Sequence, residues 1–182
     1  MSTSIRLSEL TGDYDLDTAH SRIGFVARHT LGTRVRGQFD EFEGGAYLDG
    51  DHPSRSSVRI TLQAKSIRTG NPQRDDLLRG KFLDVDDHPA LAFTSTEVTQ
   101  VDGTHYRVTG SLAMRGVAEP VAVDVELTGV TSDPQGDARV GFKGSVTINR
   151  NDWGVNWNAG TTALVSPKVV LELEITAIRR RS

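Results

Sequence analysis

Two arginines and two aspartates share the short stretch RDDLLR, Arg74 to Arg79. Such a set can pair internally and fasten the segment, the common way charged groups are tolerated under cover. Alternatively, the planar guanidinium groups of Arg74 and Arg79 can meet a phosphate or a carbonyl. A third reading makes Asp75 or Asp76 the partner of His29 in general acid–base catalysis. Nothing in the spacing brings those residues together, so no catalytic residue is assigned.

The rest of the chain offers little further chemistry. It has no cysteine, which removes disulfides, thiolate nucleophiles and Cys-based metal sites. Its five histidines are scattered without metal-ligand spacing, so neither a metal nor a cofactor is expected. The sequence contains no G-x-S-x-G, H-E-x-x-H, phosphate-loop or dinucleotide fingerprint. In NRNDWGVNWN, Trp153, Val155 and Trp157 would share one face of a regular strand. Stacking on nucleic-acid bases needs a basic surround, and Asp152, a net charge of -3 and a pI near 5.9 argue against it. Lining of an apolar cavity and plain core packing both stay open for these aromatics.

The elements that must position these residues are mostly strands. In RIGFVARH, the residues Ile23, Phe25, Ala27 and His29 alternate with Arg22, Gly24, Val26 and Arg28, the mark of a strand with one buried side. His29 therefore points inward near one end, either as a satisfied core residue or as a hydrogen-bonding partner for a ligand. Val35, Gly37 and Phe39 repeat the pattern, EGGAYLDGDHPSR reads as turn chemistry, and Val58, Ile60, Leu62 and Ala64 resume it. Further runs include Leu91 and Phe93, then Tyr106 to Met114 after the Asp-Gly turn of VDGTH. Val121 to Leu127, Val140 to Ile148 and Val169 to Ile175 complete the series.

About eight strands of ~8–14 residues with short turns describe an antiparallel barrel or sandwich, and strands this long favour an eight-stranded barrel. A chain of 182 residues suits one such domain. The inward set mixes Ala27, Gly37, Ala64, Gly110 and Gly144 with Phe25, Phe39, Phe93 and Phe142. Small residues of this kind fit an internal cavity, but they also fit a tapering solid core or bends in a curved sheet.

One segment breaks the strand pattern. NPQRDDLLRGKFLD has Asn71 and Pro72 at a helix start, acids in the first turn, and Leu77, Leu78 and Phe82 spaced to face one way. A short amphipathic helix of this kind caps one end of a barrel, restricting access or completing the core. His88-Pro89 reads as a turn leading into the next strand.

The run RDDLLRGKFLDVDDHPALAFTST, with ARHTLGTRVRGQFDEFEG, LAMRGVAEPV and GFKGSVTINRNDWGVNW in the same order, resembles the YceI-like family of lipid-binding barrels. The resemblance spans residues 13 to 178, leaving an N-terminal tail of residues 1–12 and a basic tail of residues 179–182. It implies an all-β, extended, lipocalin-like antiparallel barrel whose tunnel holds a polyisoprenoid or similar long amphiphile, as a homodimer. It also places His29 just before the family's Leu-Gly pair, displaced here by Thr30.

The expected activity is therefore sequestration or transport of a long-chain lipid without chemistry. Tail contacts are expected from Phe25, Phe39, Leu78, Phe82, Phe93, Phe142, Trp153 and Trp157, and head-group contacts from His29 and Arg74. The alternatives are a lipid-modifying enzyme on the same barrel and a ligand-free interaction barrel with a solid core. Neither a nucleic-acid partner nor a membrane-spanning segment is expected. MSTSIRLSELTGDYDLD lacks a continuous apolar run, which gives a cytoplasmic location as the expectation, although many members of the family are exported.

Overall fold

The structure is a computed structural model and describes residues 7–29, 34–132, 136–155 and 165–180. The chain runs β1 (Gly12–Leu16), β2 (Arg22–His29), β3 (Arg34–Phe39), β4 (Phe42–Leu48), β5 (Ser57–Gln63) and β6 (Ile67–Arg68). Then follow the helix α1 (Pro72–Leu77), β7 (Ala90–Gln100), β8 (His105–Met114), β9 (Val117–Ser132), β10 (Ala138–Asn149) and β11 (Val165–Arg179). The order β1-β4-β5-β7-β8-β9-β10-β11 returns to β1, a closed antiparallel barrel of eight strands. β2, β3 and β6 continue the wall beyond β11.

β11 pairs with β2 from Val165 to Glu174 and with β1 from Ala177 to Arg179. β1 and β2 are thus two halves of one long strand, broken by a 3-10 turn at Thr18–His20. Asp17 holds that break: it accepts from Ala19 N and binds His20 Nδ1 and Arg139 Nη2. The strands β3 and β4 are likewise separated only by Asp40 and Glu41, and a 3-10 turn at Ala64–Ser66 separates β5 from β6. Bends of this kind let long strands curve round a closed wall.

One stretch expected to be a turn is strand over its first part. Phe42–Leu48 forms β4, and the turn is confined to the residues between Leu48 and Ser57. Gly44 and Gly45 serve close approach here. A Cβ at Gly44 would lie 2.6 Å from Arg59 O, and one at Gly45 would lie 3.1 Å from Tyr14 O. Both glycines let β4 nestle between its neighbours β5 and β1.

The helix starts as its sequence predicts, with Asn71 Oδ1 accepting from Arg74 N at 3.1 Å and Pro72 in the first turn. It then widens into a π turn over Leu78–Phe82, where Leu83 N donates to Leu78 O at 2.8 Å. Leu77, Leu78, Phe82 and Leu83 all face the barrel interior. At the opposite end a compact cluster of Leu10, Tyr14, Ala138, Val140 and Ala177 packs the interior. Tyr14 is fully buried there and donates its hydroxyl to Leu10 O at 2.8 Å.

Candidate functional site

Strand alternation sets an apolar face inward on every wall. From β8 come Tyr106, Val108, Leu112 and Met114; from β11, Val169, Leu171, Leu173 and Ile175. Between these walls lies a cavity of about 470 Å³, a volume typical of ligand sites. Its lining runs from Leu48, Pro53 and Tyr106 at the hairpin end to Phe82, Met114 and Val155 at the helix end, so it is a tunnel along the barrel.

The tunnel stays open because glycines accept aromatic rings against the wall. Phe25 faces Gly37 across the β2–β3 ladder, and its ring occupies the space that a Gly37 Cβ would take. The Phe93 ring lies in the same way over Gly110 of β8. Phe25 and Phe39 then meet in a tilted pair, with 6.0 Å between ring centroids and 53° between ring planes. Phe25, Phe93, Phe142 and Leu171 are only half-buried although they point inward, because their free surface faces the lumen.

Polar groups in the lining are segregated. Asp49, Ser56 and Ser57 stand at the hairpin end, and Arg74 and Arg150 at the helix end. Arg74 donates through Nε to Thr69 Oγ1 at 2.8 Å and through Nη2 to Thr69 O at 3.0 Å. The buried carboxylate of Asp75 accepts from Thr69 N and Thr69 Oγ1 at 2.9 and 2.5 Å. Arg79 faces away from the tunnel and bonds Lys65 O, Ile67 O and Asp76, tying α1 to the segment between β5 and β6. The cluster RDDLLR is thus first of all a fastening, with Arg74 also touching the lumen.

Arg150 is only 5% exposed. It donates to Val155 O at 2.8 Å and Ser166 O at 3.3 Å, and its guanidinium carbon lies 5.9 Å from the centre of the Phe82 ring. Burial lowers its pKa from the usual arginine value. Sequence reasoning did not single it out, yet the signal was there: Val146 and Ile148 face inward, and Arg150 is the next residue of that parity.

Of the residues expected to bind, Phe25, Phe39, Arg74, Leu78, Phe82, Phe93 and Phe142 all line the tunnel. Trp153 does not. It is buried beside the lining and donates Nε1 to Leu112 O at 2.8 Å. The regular strand expected around it is instead a 3-10 turn, Arg150–Trp153, capped by Asn149 and ended by Gly154 at φ 68°, a left-handed conformation that suits glycine. His29 ends β2 opposite Val165, but its side chain lies outside the described residues, as does Trp157. Among the described residues, no group of His, Asp or Glu is arranged to hold a metal ion.

A closed antiparallel barrel around an apolar tunnel, with a helix across one end, defines a lipocalin-like barrel with an internal binding site. The chain belongs to the YceI-like family, whose YceI-like domain matches residues 14–177. A UPF0312 protein of Pectobacterium carotovorum is 34% identical over 177 residues, covering 96% of this chain and 90% of the relative. A UPF0312 protein of Pseudomonas aeruginosa is 34% identical over 94% of this chain and 89% of its own. Among solved structures, Burkholderia cenocepacia BcnA superposes with a TM-score of 0.81 at 24% identity, over 89% of this chain and 99% of that one. A polyisoprenoid binding domain from Saccharophagus degradans, implicated in plant cell wall breakdown, gives 0.74 at 15% identity, over 92% and 98%.

Proposed function

We propose that this protein sequesters or carries a long-chain polyisoprenoid or similar amphiphilic lipid in its barrel, without altering it chemically. The observation that carries this reading is the continuous tunnel of about 470 Å³ walled by aliphatic and aromatic side chains. Each methylene buried in such a channel is worth about 0.8 kcal/mol. A tail of roughly ten carbons therefore gains up to ~8 kcal/mol before the cost of ordering it. Affinity of this origin is generous about tail chemistry and selects mainly by shape.

The polyisoprenoid-binding description of the Saccharophagus degradans domain adds support through the shared fold. Binding without turnover is supported by both acids of the catalytic alternative being engaged elsewhere, Asp75 by Thr69 and Asp76 by Arg79. A homodimer, implied by the family resemblance, is part of the same reading.

Mass spectrometry of the purified protein, first native and then denaturing, with organic extraction of what is released, tests all of this. A stoichiometric lipid would support the reading and identify the cargo, and the native mass reports the assembly. An empty protein whose mass and melting temperature ignore added prenyl lipids would overturn it.

A further inference from the structure

The tunnel's two ends are covered by elements that differ in how firmly they are attached. At the helix end, Arg74, Asp75 and Arg79 together fasten α1 to Lys65, Ile67 and Thr69. Next in the chain, Phe82 and Leu83 are buried in the main apolar cluster. A cover bonded and packed in this way opens only when several contacts break at once.

At the hairpin end the cover is the turn between β4 and β5, residues 49–56, of which Asp49, Gly50, Pro53 and Ser56 border the lumen. The ladder between those two strands ends at Tyr47 and Ser57, and beyond it the chain folds on itself. Asp49 Oδ1 accepts from Asp51 N at 3.1 Å and His52 N at 2.9 Å, and Ser56 Oγ accepts from Asp49 N at 2.9 Å. Ser56 N donates to Pro53 O at 3.0 Å, which closes the 3-10 turn Pro53–Arg55. These internal bonds make the turn one rigid piece. Among the described residues, a single hydrogen bond joins it to another part of the wall: Gly50 N donates to Thr11 Oγ1 at 2.9 Å, at an exposed site. Pro53–Arg55 lies against β7 without a hydrogen bond to it. The neighbouring hairpin between β7 and β8 is held by backbone, since Leu127 N of β9 donates to Thr104 O at 2.8 Å.

We infer that the β4–β5 turn is the lid of the tunnel. It swings as a unit about Leu48 and Ser57, with Thr11 as its latch, and admits cargo at the hairpin end while the helix end stays shut. This rests on the tunnel's holding an amphiphile at all. A rigid flap on one exposed tether opens at little cost, which is what a gate to a buried site requires.

The chain has no cysteine, so an introduced pair can bond only to itself. A backbone N–H bonded to a threonine hydroxyl sets the two Cα atoms roughly 5–6 Å apart, within reach of a disulfide. The φ of Gly50 is not positive, so a side chain is tolerated there. The test is the delipidated full-length Thr11→Cys/Gly50→Cys protein, oxidised and then reduced. Entry of the fluorescent fatty acid cis-parinarate and its release on displacement by farnesol are followed by stopped flow. Locking the lid should slow both by about tenfold or more and change the affinity by less than about threefold, with wild-type rates restored on reduction. Thr11→Ala, which removes only the latch, should release the probe about two- to tenfold faster than the wild type. This variant decides the matter if the double one fails to fold or to crosslink. Equal rates in the oxidised and reduced forms, or unchanged release in Thr11→Ala, would overturn the lid and leave the carrier reading standing. Failure of every form, the wild type included, to bind either probe would instead sink the carrier reading.

Discussion

Two regions of this barrel are made from the same alternating strands, yet one is tightly packed and the other lines open space. Where β1 meets β11, the large Tyr14 is packed among Ala138, Val140 and Ala177, and Tyr14 and Val140 expose nothing. Further along, Phe25 and Phe93 face glycines instead, and their rings lie along the wall rather than across the lumen. Both regions bury aromatic residues, so residue type does not separate them. What differs is whether the neighbouring strand has a side chain in the ring's way.

The sharpest way to test this contrast is Tyr14→Ala. In this packed cluster it should cost about 3–5 kcal/mol, through lost burial and a cavity nothing refills. Urea denaturation reads the cost, and a loss below ~1 kcal/mol would mean this region is no tighter than the other. Next in size is Gly37→Ala. Its Cβ meets the Phe25 ring, which must swing into the lumen at a cost of about 1–3 kcal/mol. Lipid loading should fall more than stability does, and unchanged loading would refute the role given to Gly37. Leu171→Ala, on the lumen wall, should cost less than a packed leucine, about 1–2 kcal/mol, because its side chain already borders open space.

The smallest effect should come from the bend at Asp17. Burial alone would raise the pKa of this carboxyl, but His20 and Arg139 outweigh it and hold it below its ordinary value near 3.8. Because the folded pKa is depressed, the stabilisation is complete above that value and drains away as the pH falls through and below it. The urea midpoint of the wild type should therefore decline towards pH 3, with a shallower slope in Asp17→Asn. Identical slopes would remove the bend from the account of acid stability.

Much of the wall was legible in the sequence, because period-two alternation reports directly which side of a strand is buried. The inward parity of Ile23–Phe25–Ala27 and of Val169–Leu171–Leu173 survives unchanged in the structure. So does the helix start at Asn71–Pro72, a local device that needs no tertiary partner. Harder to see was β4, whose glycines mimic a turn but serve contacts with β1 and β5 that are remote in sequence. The 3-10 turn at Arg150–Trp153 was hidden for a similar reason, since it depends on Asn149 capping and a left-handed Gly154. A hollow interior was the least legible property of all. It depends on the Phe25–Gly37 and Phe93–Gly110 contacts, and alternation alone reads equally well as a packed core.

The wall is completed by the two ends of the chain. β1 pairs with β11 at Tyr14 and Arg179, and Arg180 binds Asp15 across a sequence separation of 165 residues. A contact so remote in sequence carries a large loop-closure entropy, and topologies dominated by such pairings fold on the millisecond-to-second scale. The last stave should therefore be set after the others, when Phe25, Phe93 and the helix already outline the channel. Cargo present during refolding would then be wrapped rather than threaded. Stopped-flow refolding with and without farnesyl phosphate distinguishes the two: wrapping predicts that binding finishes together with the final folding phase, and threading that it lags behind.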